Sequence, residues 1–304
     1  MIPKVKLTEQ GPETSQLVLG LKALAERGYS VKRLEDWMNN CLDLGYTTVE
    51  LADVYGGYRC ETVFGRLLAK KPALRSNIQI IGKCGMKLVH RKRPQNKVSH
   101  VDTSTMHIVT AVEHSLNELN TEYLDLLLLH RPDPLLDCGE VAEAFTQLKQ
   151  AGKVRSFGVC KFNARQIEAL QAQLVEPLVI NQVEFSLGHI DPLFDGLADI
   201  ARKNGTSILA GVPLAQGHLT TPDSDHFLEI AEVLNQVQRQ CGAKSVEAVA
   251  IAWLLRLPFT VVPVIRSAKL NRLKAAVEGT EITLTREQWY SLLQAALGAD
   301  NKTF

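Results

Sequence analysis

The sequence has no long hydrophobic run: its longest unbroken apolar stretch, Ala248 to Leu255, falls far short of the about 20 residues that span a bilayer. Met1-Ile2-Pro3-Lys4 opens no secretory signal, so the expectation is a cytoplasmic chain without a membrane partner. An excess of one charge is missing too. With a net charge of +1, 22% charged and 45% hydrophobic residues, nothing suggests the basic surface that holds nucleic acid or anionic lipid. A small-molecule partner is expected instead. The six cysteines (Cys41, Cys60, Cys84, Cys138, Cys160, Cys241) form no Cys-x-x-Cys and have no His-rich spacing, which argues against a disulfide framework and a structural zinc. They read as reduced thiols, and no metal is expected. Two glycine signatures are also absent. No Gly-x-Gly-x-x-Gly follows an early strand and no Gly-x-x-x-x-Gly-Lys-Ser/Thr occurs, so the phosphate loops of doubly wound nucleotide-binding sheets are not available.

What is present is alternation. Eight strand-like runs, Ser15 to Leu19, Thr47 to Leu51, Ile78 to Lys83, Tyr123 to His130, Val154 to Cys160, Leu178 to Val183, Thr206 to Ala210 and Thr260 to Ile265, alternate with helix-like segments. Leu126 to Leu129 is continuously apolar, as suits a strand buried on both faces. Val31 to Leu44 and Ser104 to Leu119 carry apolar residues at helical spacing, with Ser104 or Asp102 as a cap and Gly45 and Gly152 as stops. The fold class expected is an α/β (β/α)₈ TIM barrel, one domain over 1–304. An N-terminal hairpin at Pro3 to Thr14 and an added C-terminal helix at Thr285 to Leu297, opened by a Thr285–Gln288 capping box, complete it.

Barrels of this kind build their sites at the C-terminal ends of the strands, which directs attention to the polar residues closing each apolar run. Tyr55 and Glu50 follow or end the second run, Lys83 ends the third and His130 ends the fourth. Singly, a turn tyrosine or a strand-end lysine is an ordinary packing residue. Together at one rim, an ammonium beside a phenol lowers the phenol's pKa and readies it as an acid for proton transfer.

These residues resemble the aldo-keto reductase family, and the likeness runs through nearly the whole chain. Leu44 to Gly56 is similar to the family's stretch around its catalytic aspartate and tyrosine, Tyr123 to Pro132 to its histidine strand, and Gly152 to Val159 to the segment leading to its nicotinamide contacts. Tyr55-Gly56-Gly57-Tyr58 and His130-Arg131-Pro132-Asp133-Pro134 are similar to the bacterial oxidoreductases of the YdhF type. The resemblance implies reduction of an aldehyde or ketone with NADP as cofactor. Tyr55 would protonate the carbonyl oxygen, Lys83 would lower the Tyr55 pKa, His130 would orient the carbonyl, and Glu50 would hold Lys83. Gln182 would bind the nicotinamide carboxamide, and Arg266, Ser267 and Arg272 would clasp the adenosine 2′-phosphate.

The chain departs from the family pattern at the nicotinamide end. Glu50 stands where the family has aspartate, Cys160-Lys161 replace a Ser-Asn pair, and Gly211 aligns with an aromatic residue that stacks on the nicotinamide. The glycine-rich stretch that follows runs from Leu214 to Leu219 and keeps only Gly217, and Gly20-Leu21-Lys22 differs as well. Two functional classes follow from this. One is an NADPH-dependent carbonyl reductase with a rebuilt nicotinamide site. The other is a reductase-like barrel of weak or lost turnover that binds nucleotide or another protein.

Overall fold

The computed structural model describes residues 1–298, so residues 299–304 of the expected 1–304 domain lie outside the described residues. Eight parallel strands close into a barrel: β1 (Val18–Gly20), β2 (Thr48–Glu50), β3 (Gln79–Cys84), β4 (Leu124–Leu129), β5 (Val154–Cys160), β6 (Leu178–Glu184), β7 (Ser207–Gly211) and β8 (Val261–Ile265). Neighbours pair in chain order. The cylinder is closed where β8 meets β1, with Val264 opposite Val18. Helices follow the strands on the outside, giving the (β/α)₈ TIM barrel that alternation implies.

The continuous apolar runs serve two cores at once. Leu126 and Leu128 of β4 join Val18, Ile81, Ile180, Leu209 and Val264 inside the cylinder, whereas Leu124, Leu127 and Leu129 pack outward among the helices. A strand with both faces covered needs no polar alternation. The outer helices start and stop where side chains satisfy their free ends. Ser104 accepts from the His107 amide and opens Thr105–Leu119, and Thr285 with Gln288 forms a capping box before Arg286–Leu297.

Most strand boundaries fall within a residue or so of the sequence expectation, and the N-terminal one differs most. The run Ser15 to Leu19 is divided: Glu13–Ser15 pairs with Lys4–Lys6 as the N-terminal hairpin, and the barrel strand begins only at Val18. This hairpin plugs the N-terminal mouth. Leu7 packs against the barrel interior, its carbonyl accepts from Ser207 Oγ at 2.5 Å, and the Ser15 amide donates to Thr48 Oγ1 at 3.0 Å. The other mouth is left for chemistry. The two ends of the segment 86–101 pair antiparallel, Met86–Lys87 with His100–Val101. Among the described residues no helix is long and apolar enough to cross a membrane, and all six cysteines are free.

Candidate active site

Strand parity decides which side chains enter the open mouth. Val18, Ile81, Leu128, Ile180, Leu209 and Val264 fill the interior, and in a strand every second residue faces the same way. Two residues beyond them, on the same parity, stand Gly20, Lys83, His130, Gln182, Gly211 and Arg266. Glu50 and Cys160 follow the outward-facing Val49 and Val159 and so share that parity on β2 and β5. Each of the eight strands thus sends one residue to the rim. Every strand-borne candidate from the sequence is among them.

Tyr55 reaches the same mouth from the loop after β2. Its amide donates to the Ala52 carbonyl at 3.1 Å, and the chain then turns through Gly56, Gly57 and Tyr58 at φ 58°, 63° and 59°. A Cβ on Gly56 would lie 2.7 Å from Cys60 Sγ, and one on Gly57 would lie 2.8 Å from His90 Nε2. Gly56 is therefore required by space as well as by φ, and Gly57 by φ.

Glu50 organises the cluster. Its Oε1 accepts from the Tyr55 hydroxyl at 2.8 Å and from Gln182 Nε2 at 3.4 Å, and it is in direct contact with Lys83 Nζ. Lys83 Nζ also donates to Tyr55 Oη at 2.8 Å. Lys83 and Glu50 side chains are wholly buried, while Tyr55 is 7% exposed and opens on the mouth. His130 stands edge-on to the Tyr55 ring, centroids 5.7 Å apart. The tyrosine, lysine, histidine and acid picked out at three successive strands are thus brought together.

The charges do not all run as the sequence suggests. Burial raises the Tyr55 hydroxyl above its ordinary value, outweighing the Arg266 charge that pulls it down. The expectation that Lys83 acidifies this phenol is met in contact but not in net direction, because loss of water disfavours phenolate more than nearby cations favour it. Burial likewise pulls Lys83 down to about 7, helped by the charges of Arg266 and Lys22; contact with the Glu50 carboxylate favours the ammonium. His130 is lowered to about 3 by burial, with Lys83, Arg131, Lys161 and Lys22 adding to it. It is a neutral imidazole that can donate from one nitrogen. Burial raises the Cys160 thiol, which stays protonated.

Two connected hollows run from this cluster across the mouth. A chamber of about 720 Å³ is walled by Tyr55, His130, Cys160, Lys161, Gln182 and Gly211 among others. A second, of about 300 Å³, is walled by Leu214, Gly217, Ser267 and Arg272. Val212, Gln216 and Arg266 line both. Several polar atoms facing this region are buried without a partner: Glu50 Oε2, His130 Nδ1, Gln182 Oε1 and Arg266 Nε. Buried polar groups are normally paired, so an unpaired set at one mouth marks where a ligand would supply partners. A dinucleotide with an amide at one end and a phosphate at the other fits this spread of residues.

The floor explains one departure from the pattern. A Cβ on Gly20 would lie 2.6 Å from Arg266 Cγ and 3.4 Å from Glu50 Oε2, so only glycine lets the arginine stem pass beside the acid. The Arg266 segment is pinned from behind, where Arg27 Nη2 donates to the Arg266 carbonyl at 3.0 Å and Trp37 Nε1 to the Ala268 carbonyl at 3.1 Å. After β7, Val212, Ala215 and Gln216 have φ of 57°, 45° and 57°. Left-handed non-glycine residues are rare and a β-branched one is strained, which clusters at ligand-binding turns.

Sequence reasoning missed several wall residues. Arg131 and Glu184 lie one and two residues past recognised positions, a signal that parity could have supplied for Glu184. Glu247 lines the second hollow beside Arg266 and Arg272, from a helix start with no local mark. The basic residues of 87–97 face away from the chamber. Lys87 pairs with Asp102 at 3.1 Å, Lys92 Nζ donates to the Tyr58 carbonyl at 2.8 Å and Lys97 Nζ to the Pro94 carbonyl at 3.1 Å, and none lines the chamber.

Comparison with known proteins places this geometry. The sequence model of the aldo/keto reductase family matches residues 16–296. The chain is 42% identical over 300 residues to oxidoreductase YdhF of Escherichia coli (strain K12), covering 99% of each. It is 35% identical to the 6-dehydroglucose reductase of Agrobacterium fabrum, over 95% of this chain and 96% of that protein. The crystal structure of the thermostable aldo-keto reductase Tm1743 with the inhibitor epalrestat superposes with a TM-score of 0.81 at 25% identity, covering 97% of this chain and 100% of that one. With the barrel, the rim and the matched length in agreement, the chain belongs to the aldo/keto reductase family of oxidoreductases.

Proposed function

We propose that the chain is a cytoplasmic, single-domain, NADPH-dependent reductase of a small aldehyde or ketone. One observation carries the reading: Tyr55 Oη lies at the chamber wall, 2.8 Å from Lys83 Nζ and 2.8 Å from Glu50 Oε1. NADPH, when bound, supplies hydride to the carbonyl carbon. Gln182 Oε1, with no protein partner, would accept from its carboxamide, and Lys161 and Cys160 flank that position. Gly217 leaves room for close backbone approach, and Arg266, Ser267 and Arg272 would hold the 2′-phosphate. Glu247 beside them reduces the positive charge at that end.

Tyr55 Oη would give its proton to the carbonyl oxygen as negative charge builds there. Lys83 stabilises the resulting phenolate, which is worth more in a buried site than in water. Neutral His130 would donate to the same oxygen and orient it. Glu50 keeps Lys83 in place and accepts a hydrogen bond from the phenol at rest, so the hydroxyl must turn away from Glu50 to act. That demand follows from the extra methylene of glutamate and slows the step. Lys22, Arg131 and Lys161 with Glu26 and Glu184 make a polar wall, which supports a hydroxylated carbonyl compound as substrate. The name of one relative, 6-dehydroglucose reductase, is compatible with this.

A second reading, a nucleotide-binding barrel with little turnover, is favoured by the grip of Glu50 on the phenol proton and by the missing ring at Gly211. Fluorescence titration with NADPH and NADH, followed by turnover on a panel of aldehydes, ketones and oxidised sugars, separates the two. The reductase reading expects NADPH to bind more tightly, a carbonyl to oxidise it, and Tyr55→Phe to abolish that oxidation while leaving cofactor affinity intact. Tight NADPH binding with no oxidation by any carbonyl would establish the second reading.

A further inference from the structure

A second cavity, of about 320 Å³, lies between the helices Cys60–Lys70 and Thr105–Leu119 beneath the segment 86–101. Its wall carries three carboxyl groups, Asp53, Glu61 and Glu118, together with His107. Glu61 is only 5% exposed and its Oε1 has no partner; the Ser115 hydroxyl serves its carboxyl. His107 Nε2 is likewise buried and unpartnered. Glu118 accepts from the Thr62 hydroxyl.

The cations of this wall make no ion pair with its three acids, although the Arg93 charge is felt by Glu61 and Asp53. Lys87 Nζ lies 3.1 Å from Asp102, and Arg93 contacts His114 Nε2 at 2.6 Å with its guanidinium 4.9 Å from the Tyr58 ring centre. Three acids therefore line one cavity whose single arginine contacts His114 and Tyr58 of the same wall. Burial pushes Glu61 up to about 8, and the charges of Asp53 and Glu118 push the same way; burial takes Asp53 to about 7, and the Arg93 charge offsets only part of either rise. Buried carboxylates that repel one another are unfavourable as anions, and either take up protons or gain from a cation that enters among them.

We infer that this cavity is a binding site for a small organic ammonium ion, its N–H groups meeting Glu61 Oε1 and His107 Nε2. A metal fits less well, since among the described residues no group of three or more His, Cys, Asp or Glu is placed to hold one. An ammonium needs no fixed coordination geometry, and the alkyl part has Ala111, Met86 and Tyr58 to pack on. Met86 also lines the chamber beside Tyr55, so the occupant would share a wall with the active site. The site goes beyond the proposed reductase reading and does not depend on it.

The test is isothermal titration of the full chain with 1,4-diaminobutane at fixed ionic strength, with 1,4-butanediol as the uncharged match in length. The diamine is expected to bind saturably and the diol not at all. Glu61→Gln, which keeps shape and removes charge, is expected to weaken the diamine by at least about tenfold, and Glu118→Gln by a smaller factor, with circular dichroism confirming that each variant is folded. Should Glu61→Gln misfold, Glu118→Gln carries the comparison. Equal binding of diol and diamine, unchanged diamine affinity in the folded variants, or no saturable binding to the wild-type chain would overturn the site.

Discussion

Glu50 and Glu61 are both buried glutamates near Tyr55, one at the barrel rim and one in the cavity behind it, yet their surroundings are opposite. Glu50 has an ammonium, a phenol and an amide on one oxygen. Glu61 has a hydroxyl on one side and an open position on the other. A carboxylate out of water is tolerable when a cation and donors replace the solvent, and otherwise takes up a proton. The partner, more than the depth, decides whether a buried acid is a working part or a group awaiting one.

The sharpest way to break the contrast is to remove the cation from Glu50. Lys83→Met is expected to lower turnover by about a thousandfold and, by leaving a buried acid unpaired, to destabilise the fold by about 3–5 kcal/mol. Steady-state kinetics and urea unfolding measure both; near-native rates would mean the phenol works without the ammonium. Next in size is Glu50→Asp. Drawing the carboxylate back by about 1 Å frees the Tyr55 proton while keeping the charge beside Lys83, and turnover is expected to rise by about tenfold or more. A single-turnover hydride-transfer rate that falls instead would show that the longer side chain is needed.

Glu61 predicts a pH dependence rather than a rate. Its carboxyl is raised from 4.5 to about 8, so between those values the folded chain holds a proton that the unfolded chain has lost, and stability falls as pH rises through the window. Asp53, raised from 3.8 to about 7 by burial, adds to the fall. His107 is lowered by burial and works the other way, adding stability as pH rises towards 6.5. Glu118, Lys87, Arg93 and His114 complete the charged surroundings. Glu61→Gln should flatten the slope and gain roughly 1–3 kcal/mol at pH 9, with little change at pH 4, as read by denaturant unfolding across pH. The smallest effect expected is at the strained turn, where Val212→Gly relieves a β-branched residue at φ 57°. A gain of about 1 kcal/mol is expected, and a loss would mean that side-chain packing outweighs strain there.

Much of the barrel was readable because strands and helices leave local marks. Val154 to Cys160 begins and ends as expected, and Ser104 and Thr285 cap the helices they were expected to open. The run expected from Ser15 joins two elements because Ser15 closes the hairpin strand only three residues before Val18 opens the barrel strand, and no turn residue marks the gap. At the site, Tyr55, Lys83 and His130 could be named from strand ends and family likeness. The cavity behind them could not. Glu61 reads in sequence as an ordinary acid in the first turn of a helix, and only the packing of that helix against Thr105–Leu119 buries it.

The sequence by itself determined the alternation of elements and the parity that turns Lys83, His130, Gln182 and Arg266 inward, because a strand's two-residue period acts between near neighbours. Only the tertiary structure decided that Gln182 would reach Glu50 across 132 positions of chain, that Gly20 would make way for Arg266, and that burial would outweigh the Arg266 charge in setting the Tyr55 pKa. Those outcomes depend on barrel closure and on how much water each group loses, and neither is a property of any short stretch of sequence.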